Sequence, residues 1–141
     1  ALAVARDLVV YLKRPGGQSQ FSDLLRSQSA GNVIGEVQAW MLAHLEQPMD
    51  VGMLARRASM SERNFSRLFQ REVGEAPMRF LESARIERAR LLFEDLSLSL
   101  KAVAQRAGFS TEQQMRRAFL RRLNVSPSDY RERFSPADVF N

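Results

Sequence analysis

Two short stretches of this chain place hydrogen-bonding side chains at helical spacing. The first carries Arg63, Ser66, Arg67 and Gln70; the second carries Gln113, Gln114, Arg117 and Arg121, with Arg116 at its edge. Residues three and four apart share one helix face. Their chemistry suits the edges of nucleobases, because arginine donates two hydrogen bonds to guanine, glutamine pairs with adenine and serine serves either. Arg63, Ser66, Arg67, Gln113, Gln114 and Arg117 are therefore the candidate base contacts. Ser61, Gln70, Ser110, Thr111, Arg116 and Arg121 flank them as candidate phosphate contacts. A single Arg/Gln/Glu face is most often plain solvated surface. Two of them, each behind the same turn, reverse that expectation.

Composition narrows the alternatives. The 141 residues include 21 Lys+Arg and 16 Asp+Glu, a formal net charge of +5. Only Lys13 and Lys101 are lysines, so the excess is arginine, the side chain suited to bidentate contacts with phosphate and guanine. There is no cysteine, which excludes disulfides, thiolate catalysis and Cys-ligated zinc. His44 is the single histidine, so no multi-histidine metal site exists. No Gly-rich phosphate loop is present. No acid, base and nucleophile can be assembled, so an enzyme is not expected, nor a cofactor. No apolar stretch approaches the roughly 20 residues that span a bilayer, so a cytoplasmic protein without membrane contact is expected. The chain opens at Ala1 without a secretory signal and reads as a fragment.

The elements that must carry these residues are helices. Ala1–Arg14 is apolar and fits either a helical face or, at Val9-Val10-Tyr11, a strand. Arg14-Pro15-Gly16-Gly17 and the polar run to Gln20 form a breaker, and Ser27 to Gly31 has linker composition. Residues 1–30 therefore read as the end of an upstream domain plus a linker. Asn32 is the expected N-cap of a helix with Val33, Val37, Trp40, Met41 and Leu45 inward, before Pro48. Asp50 and Ser61 can cap the next two, the second burying Phe65, Leu68, Phe69 and Val73 before Gly74. A longer helix is expected from Met78 to Glu94. Ser99 opens a short helix ended by Gly108, Ser110 or Thr111 opens another with Met115, Ala118, Phe119 and Leu123 inward, and Ser126-Pro127 opens a closing one.

The chain also repeats itself. Leu54-Ala55, Ala58 and Ser61 match Val103-Ala104, Ala107 and Ser110 at an offset of 49; Phe65, Arg67, Phe69, Pro77 and Phe80 match Met115, Arg117, Phe119, Pro127 and Tyr130 at an offset of 50. Each copy is a short helix, a tight turn and a second helix, the helix-turn-helix pattern. Ala55 and Ala104 let the second helix cross closely. Gly108 suits a left-handed turn, whereas the first copy has Ser59 and is the weaker match. The expected fold is all-α: a first unit over about 33–77, a linker helix over about 78–95, a second unit over about 96–134, and a tail at 135–141. A linker helix of about 25 Å suits two recognition helices set one DNA turn, about 34 Å, apart.

Other residues are better read as structural. His44 sits near an apolar face with no nucleophile beside it and reads as a core-edge histidine. Trp40, beside Met41, reads as core and not as a base-stacking platform. Glu82 with Glu87, and Glu94 with Asp95, read as surface ion-pair partners of Arg85, Arg88 and Arg90. Arg56 and Arg57 either touch phosphates or are solvated.

The strings Leu54-Ala55…Ser61…Phe65-Ser66-Arg67-Leu68-Phe69…Gly74…Pro77 and Arg85-Ile86…Ala89 resemble the AraC/XylS-type transcription regulators. So does the more specific ending Val103-Ala104…Ala107-Gly108-Phe109…Arg117-Ala118-Phe119…Pro127…Tyr130-Arg131. The resemblance covers about Val33 to Phe134. It implies a bipartite domain for double-stranded DNA, often in an activator that touches RNA polymerase, with an upstream domain that senses a small molecule and dimerises. Carried over by position, the base readers would again be Arg63, Ser66, Arg67, Gln113, Gln114 and Arg117. Asn124 stands where the family usually has glycine, and Met115 replaces a common phenylalanine. The opening Val9-Val10-Tyr11…Arg14-Pro15-Gly16-Gly17-Gln18…Gln20-Phe21-Ser22 is similar to the junction in regulators with a PfpI-like amidotransferase-fold sensor. The rival from another class is a helical interaction module whose arginine faces bind an acidic partner.

Overall fold

The computed structural model describes the backbone of residues 21–134 and the side chains of residues 31–134. The apolar opening, the breaker and the tail at 135–141 lie outside the described residues. Among those described, the secondary structure is entirely helical: α1 (Phe21–Ala43), α2 (Val51–Arg57), α3 (Glu62–Val73), α4 (Pro77–Leu92), α5 (Leu100–Ala107), α6 (Glu112–Leu123) and α7 (Pro127–Arg133). The all-α expectation holds. The described residues divide into two compact units, 21–44 with 49–81 and 45–48 with 82–134.

In the first unit, α1 differs from the sequence expectation. It runs without interruption through residues 27–32, so Asn32 is an interior residue and not a cap. Extending a helix is cheaper than nucleating a new one, and one interior glycine costs only about 1 kcal/mol. Gly31 lies beside α3, where a Cβ would stand 3.4 Å from Glu72 Oε2. The inward face is Ile34, Val37, Gln38 and Met41, while Val33 and Trp40 are half-buried.

α2 and α3 form the first helix-turn-helix. Asp50 caps α2 by accepting the Met53 N–H at 2.8 Å, and Ser61 caps α3 by accepting the Asn64 N–H at 3.2 Å. Between them the Met60 N–H bonds the Ala55 carbonyl and the Ser59 N–H bonds that of Arg56. That is a Schellman turn, and Ser59 takes its left-handed position at φ 56°. Leu54, Ala55, Phe65, Phe69 and Phe80 are fully buried. The rings of Phe65 and Phe69 lie 5.6 Å apart, and those of Phe69 and Phe80 5.7 Å apart. Burying one such phenylalanine contributes about 1.5–3 kcal/mol. Gly74 ends α3 at φ 98°.

The second unit repeats this construction. Ser99 caps α5, Thr111 caps α6 and Ser126 caps α7. The Phe109 N–H bonds the Ala104 carbonyl and the Gly108 N–H that of Gln105, so the turn is the one made by Met60 and Ser59. Gly108 holds φ 103° and Asn124 ends α6 at φ 59°. Asparagine thus serves the left-handed position as expected. The core joins Ile86, Ala89 and Phe93 to Val103, Ala104, Ala107, Phe109, Met115, Ala118 and Phe119, with Tyr130 packed against it. Met115 is fully buried and fills the core as the sequence suggests.

Candidate nucleic-acid interface

Burying one stripe of α3 and α6 leaves the opposite stripe in solvent. On α3, Arg63, Arg67 and Gln70 are exposed, Ser66 is half-buried and the capping Ser61 is exposed. On α6, Gln113, Gln114, Arg116 and Arg117 are exposed, as are Ser110 and Thr111 before them. Each second helix therefore brings its own base-contact candidates to one face, in the first two or three turns where a recognition helix reads bases.

The two faces are not equivalent in detail. Arg67 Nη2 donates to Asn64 Oδ1 at 2.8 Å, within the exposed face of α3. In α6 the matching residue, Gln114, turns back and accepts the Ser110 N–H on its Oε1 at 2.6 Å, while its own N–H goes to Thr111 Oγ1 at 3.0 Å. Gln114 is thus engaged in holding the start of its helix. Gln113 and Arg116 open on a cavity of about 480 Å³ that Leu100, Ser126 and Ser128 also line.

Arg121, a candidate phosphate contact, is engaged within the second unit. It pairs with Glu82, whose other oxygen accepts from Arg122 Nε at 2.8 Å; Arg122 Nη1 also donates to Ser83 Oγ at 2.7 Å. Burial works to raise the Glu82 carboxyl, but hydrogen bonds and charge from Arg121 and Arg122 outweigh it and hold the group below the usual carboxylate range. A cation satisfied in this way is a poorer phosphate ligand than a free one.

The other arginine pairings also depart from the sequence reading. Of the three arginines expected to pair with Glu82, Glu87, Glu94 and Asp95, only Arg90 does so among the described residues, bonding Glu87 at 2.6 Å and the Tyr130 hydroxyl at 2.7 Å. Arg85 donates instead to the carbonyls of Leu45 and Gln47, at 3.2 and 2.9 Å. Arg88 donates to the Arg106 carbonyl at 3.1 Å. These carbonyls lie at or just past helix ends and lack intrahelical partners, which makes them strong acceptors for guanidinium groups. Arg57 stacks over Trp40, 4.1 Å from the ring centroid, and Trp40 stacks on His44 at 4.4 Å. The His44 Nδ1–H donates to the Trp40 carbonyl at 2.7 Å. His44 is a core-edge histidine as expected, whereas Trp40 is a half-buried wall for a cation rather than core.

Sequence reasoning missed Asn64 and the Glu82 clamp. Asn64 had a signal, since it stands three residues before Arg67 on one face. Glu82 had none, because its partners are 39 and 40 residues away. No group of three His, Asp or Glu side chains able to hold a metal occurs among the described residues.

Two consecutive helix-turn-helix units, each exposing a polar, arginine-bearing second helix, define the architecture of a bipartite DNA-binding domain. Comparison with known proteins agrees. Residues 54–133 match the family described as "Helix-turn-helix domain". The chain is 48% identical over 85 residues to the HTH-type transcriptional regulator Rv1931c of Mycobacterium tuberculosis (strain ATCC 25618 / H37Rv), a match covering 60% of this chain and 33% of that protein. Among solved structures, the DNA-binding domain of the global transcriptional factor AdpA, in complex with a target DNA, is 40% identical with a TM-score of 0.69, covering 72% of this chain and 91% of that one. A probable AraC family transcriptional regulator from Rhodopseudomonas palustris CGA009 is 26% identical with a TM-score of 0.62, covering 74% and 99%. The chain belongs to the AraC-type helix-turn-helix family of transcription regulators. It spans about a third of the length of Rv1931c.

Proposed function

We propose that this chain is the DNA-binding part of a sequence-specific transcription regulator, and that α3 and α6 enter adjacent major grooves of double-stranded DNA. The observation that carries this reading is the duplicated turn. The same Schellman hydrogen bonds occur at Ser59 and Gly108, each followed by a capped helix whose exposed face bears arginine in the matching position, Arg67 and Arg117. The AdpA domain, solved with its target DNA, supports the same mode of use.

In this reading Arg63, Ser66 and Arg67 read one block of bases, and Gln113, Gln114 and Arg117 read the other. Ser61, Gln70, Ser110, Thr111 and Arg116 contact phosphates and fix register. Arg121, bound to Glu82, contributes least. The residues before α1 join the domain to an upstream sensor. The similarity of the segment Val9–Ser22 to regulators with a PfpI-like amidotransferase-fold domain supports that kind of sensor. The family resemblance supports a cytoplasmic activator that answers a small molecule, dimerises through its sensor and touches RNA polymerase.

The test is selection of duplex DNA from a random pool at near-physiological salt. Two enriched blocks about one helical turn apart are expected, with affinity falling steeply as salt rises. Retention without enrichment would contradict sequence-specific reading, and binding to acidic protein but not DNA would replace it.

A further inference from the structure

We infer that Asn64 is a positioning residue for Arg67, and that it sharpens base discrimination by the first recognition helix. This rests on the reading of α3 as a recognition helix. The observations are local to that helix. Ser61 Oγ accepts the Asn64 backbone N–H at 3.2 Å, and Asn64 Oδ1 accepts from Arg67 Nη2 at 2.8 Å. The cap fixes the backbone of Asn64, and the asparagine side chain in turn holds the arginine on the exposed face.

A guanidinium has five N–H donors, and a bidentate contact with guanine uses two. Asn64 can hold one and leave the guanine-facing pair free. Fixing the rotamer before binding removes part of the entropy that a long, exposed arginine loses on ordering. It also narrows the angles at which the fork meets a base, which penalises a wrong base more than a correct one. The second unit lacks this device. Gln114, at the position matching Asn64, bonds the Ser110 backbone, and Arg117 is exposed with no hydrogen bond or ion pair among the described residues.

The experiment uses the full chain and a duplex recovered by selection from a random pool. Arg67→Ala identifies the base pair that Arg67 reads, as the position where discrimination disappears. Asn64→Ala should lower discrimination at that same base pair about five- to tenfold, the worth of one ordinary, solvent-exposed hydrogen bond, with an unchanged thermal midpoint. Asn64→Asp keeps the acceptor and should preserve the discrimination ratio even where its charge weakens overall binding. In an Arg67→Ala background, Asn64→Ala should have no further effect on that ratio. If Arg67→Ala abolishes discrimination and Asn64→Ala leaves it intact, the positioning role is wrong and the groove-reading role of α3 stands. If Arg67→Ala changes discrimination nowhere, both fall.

Discussion

Gly108 lies against the main chain of Leu45, so closely that a Cβ at position 108 would stand 1.9 Å from the Leu45 carbonyl oxygen and 2.7 Å from Arg85 Nε. Arg85 donates to that same carbonyl. The left-handed turn of the second unit thus leaves room for the chain leaving α1 and for the arginine that ties it down. Burial pushes the Arg85 guanidinium below its ordinary pKa, yet two backbone acceptors satisfy its charge.

Gly108→Ala should therefore destabilise the second unit by about 3 kcal/mol or more, combining backbone strain with a clash that only main-chain movement can relieve. The matching residue, Ser59, already holds φ 56° with a side chain. Ser59→Gly removes that strain at some cost in unfolded-chain entropy, and should stabilise the first unit by about 0.5–1 kcal/mol. Urea unfolding of the two variants checks both signs.

Glu82 predicts a pH dependence. Its carboxyl is held below the ordinary value of 4.5 by Arg121 and Arg122 in the folded state. The stabilisation from this clamp is therefore complete above about pH 4.5 and is lost as pH falls through the lower, folded value. Glu82→Gln should cost about 1 kcal/mol at pH 7, a modest figure because the site is partly solvated. The gap between variant and parent should narrow progressively as the pH falls below 4.5 in paired urea titrations.

Arg57 offers an optical test, since Trp40 is the only tryptophan. Arg57→Ala removes the cation over its ring and should lower stability by about 0.5–1 kcal/mol. Trp40 emission should change in the folded state and match the parent once both are unfolded.

Phosphate and base contacts separate by salt and sequence. Arg116→Ala should weaken binding about equally for all duplexes and lower the slope of log K against log salt by about one. Arg121→Ala should lower that slope by less, because Arg121 shares the single charge of Glu82 with Arg122. Titrations of one labelled duplex at several salt concentrations give the slopes.

The fold was largely legible because its signals are local or periodic. Caps at Asp50, Ser61, Ser99 and Ser126, apolar stripes at helical spacing, and a repeat offset near fifty residues locate α2 to α7. The start of α1 was not legible, because Ser27–Gly31 has the composition of a linker and only its helical context overrides that. The exposed faces of α3 and α6 follow from the buried ones. What the exposed residues bond to does not, because those partners are set by tertiary placement. Periodicity places Arg121 on an open face, and only the fold brings Glu82 to it. Ser59 shows the reverse case: a weak turn residue by type adopts the required conformation because the core beneath Leu54 and Phe65 fixes the crossing of α2 and α3.

The central claim is that α3 and α6 each read a separate block of DNA. The direct measurement is random-pool selection run in parallel with the parent chain, Arg67→Ala and Arg117→Ala. Two blocks about one helical turn apart are expected for the parent. Each variant should lose one block, a different one in each case, with its fold intact and with affinity for the parent's site reduced by about 1–3 kcal/mol. Loss of the same block by both variants, or of neither, would contradict the account.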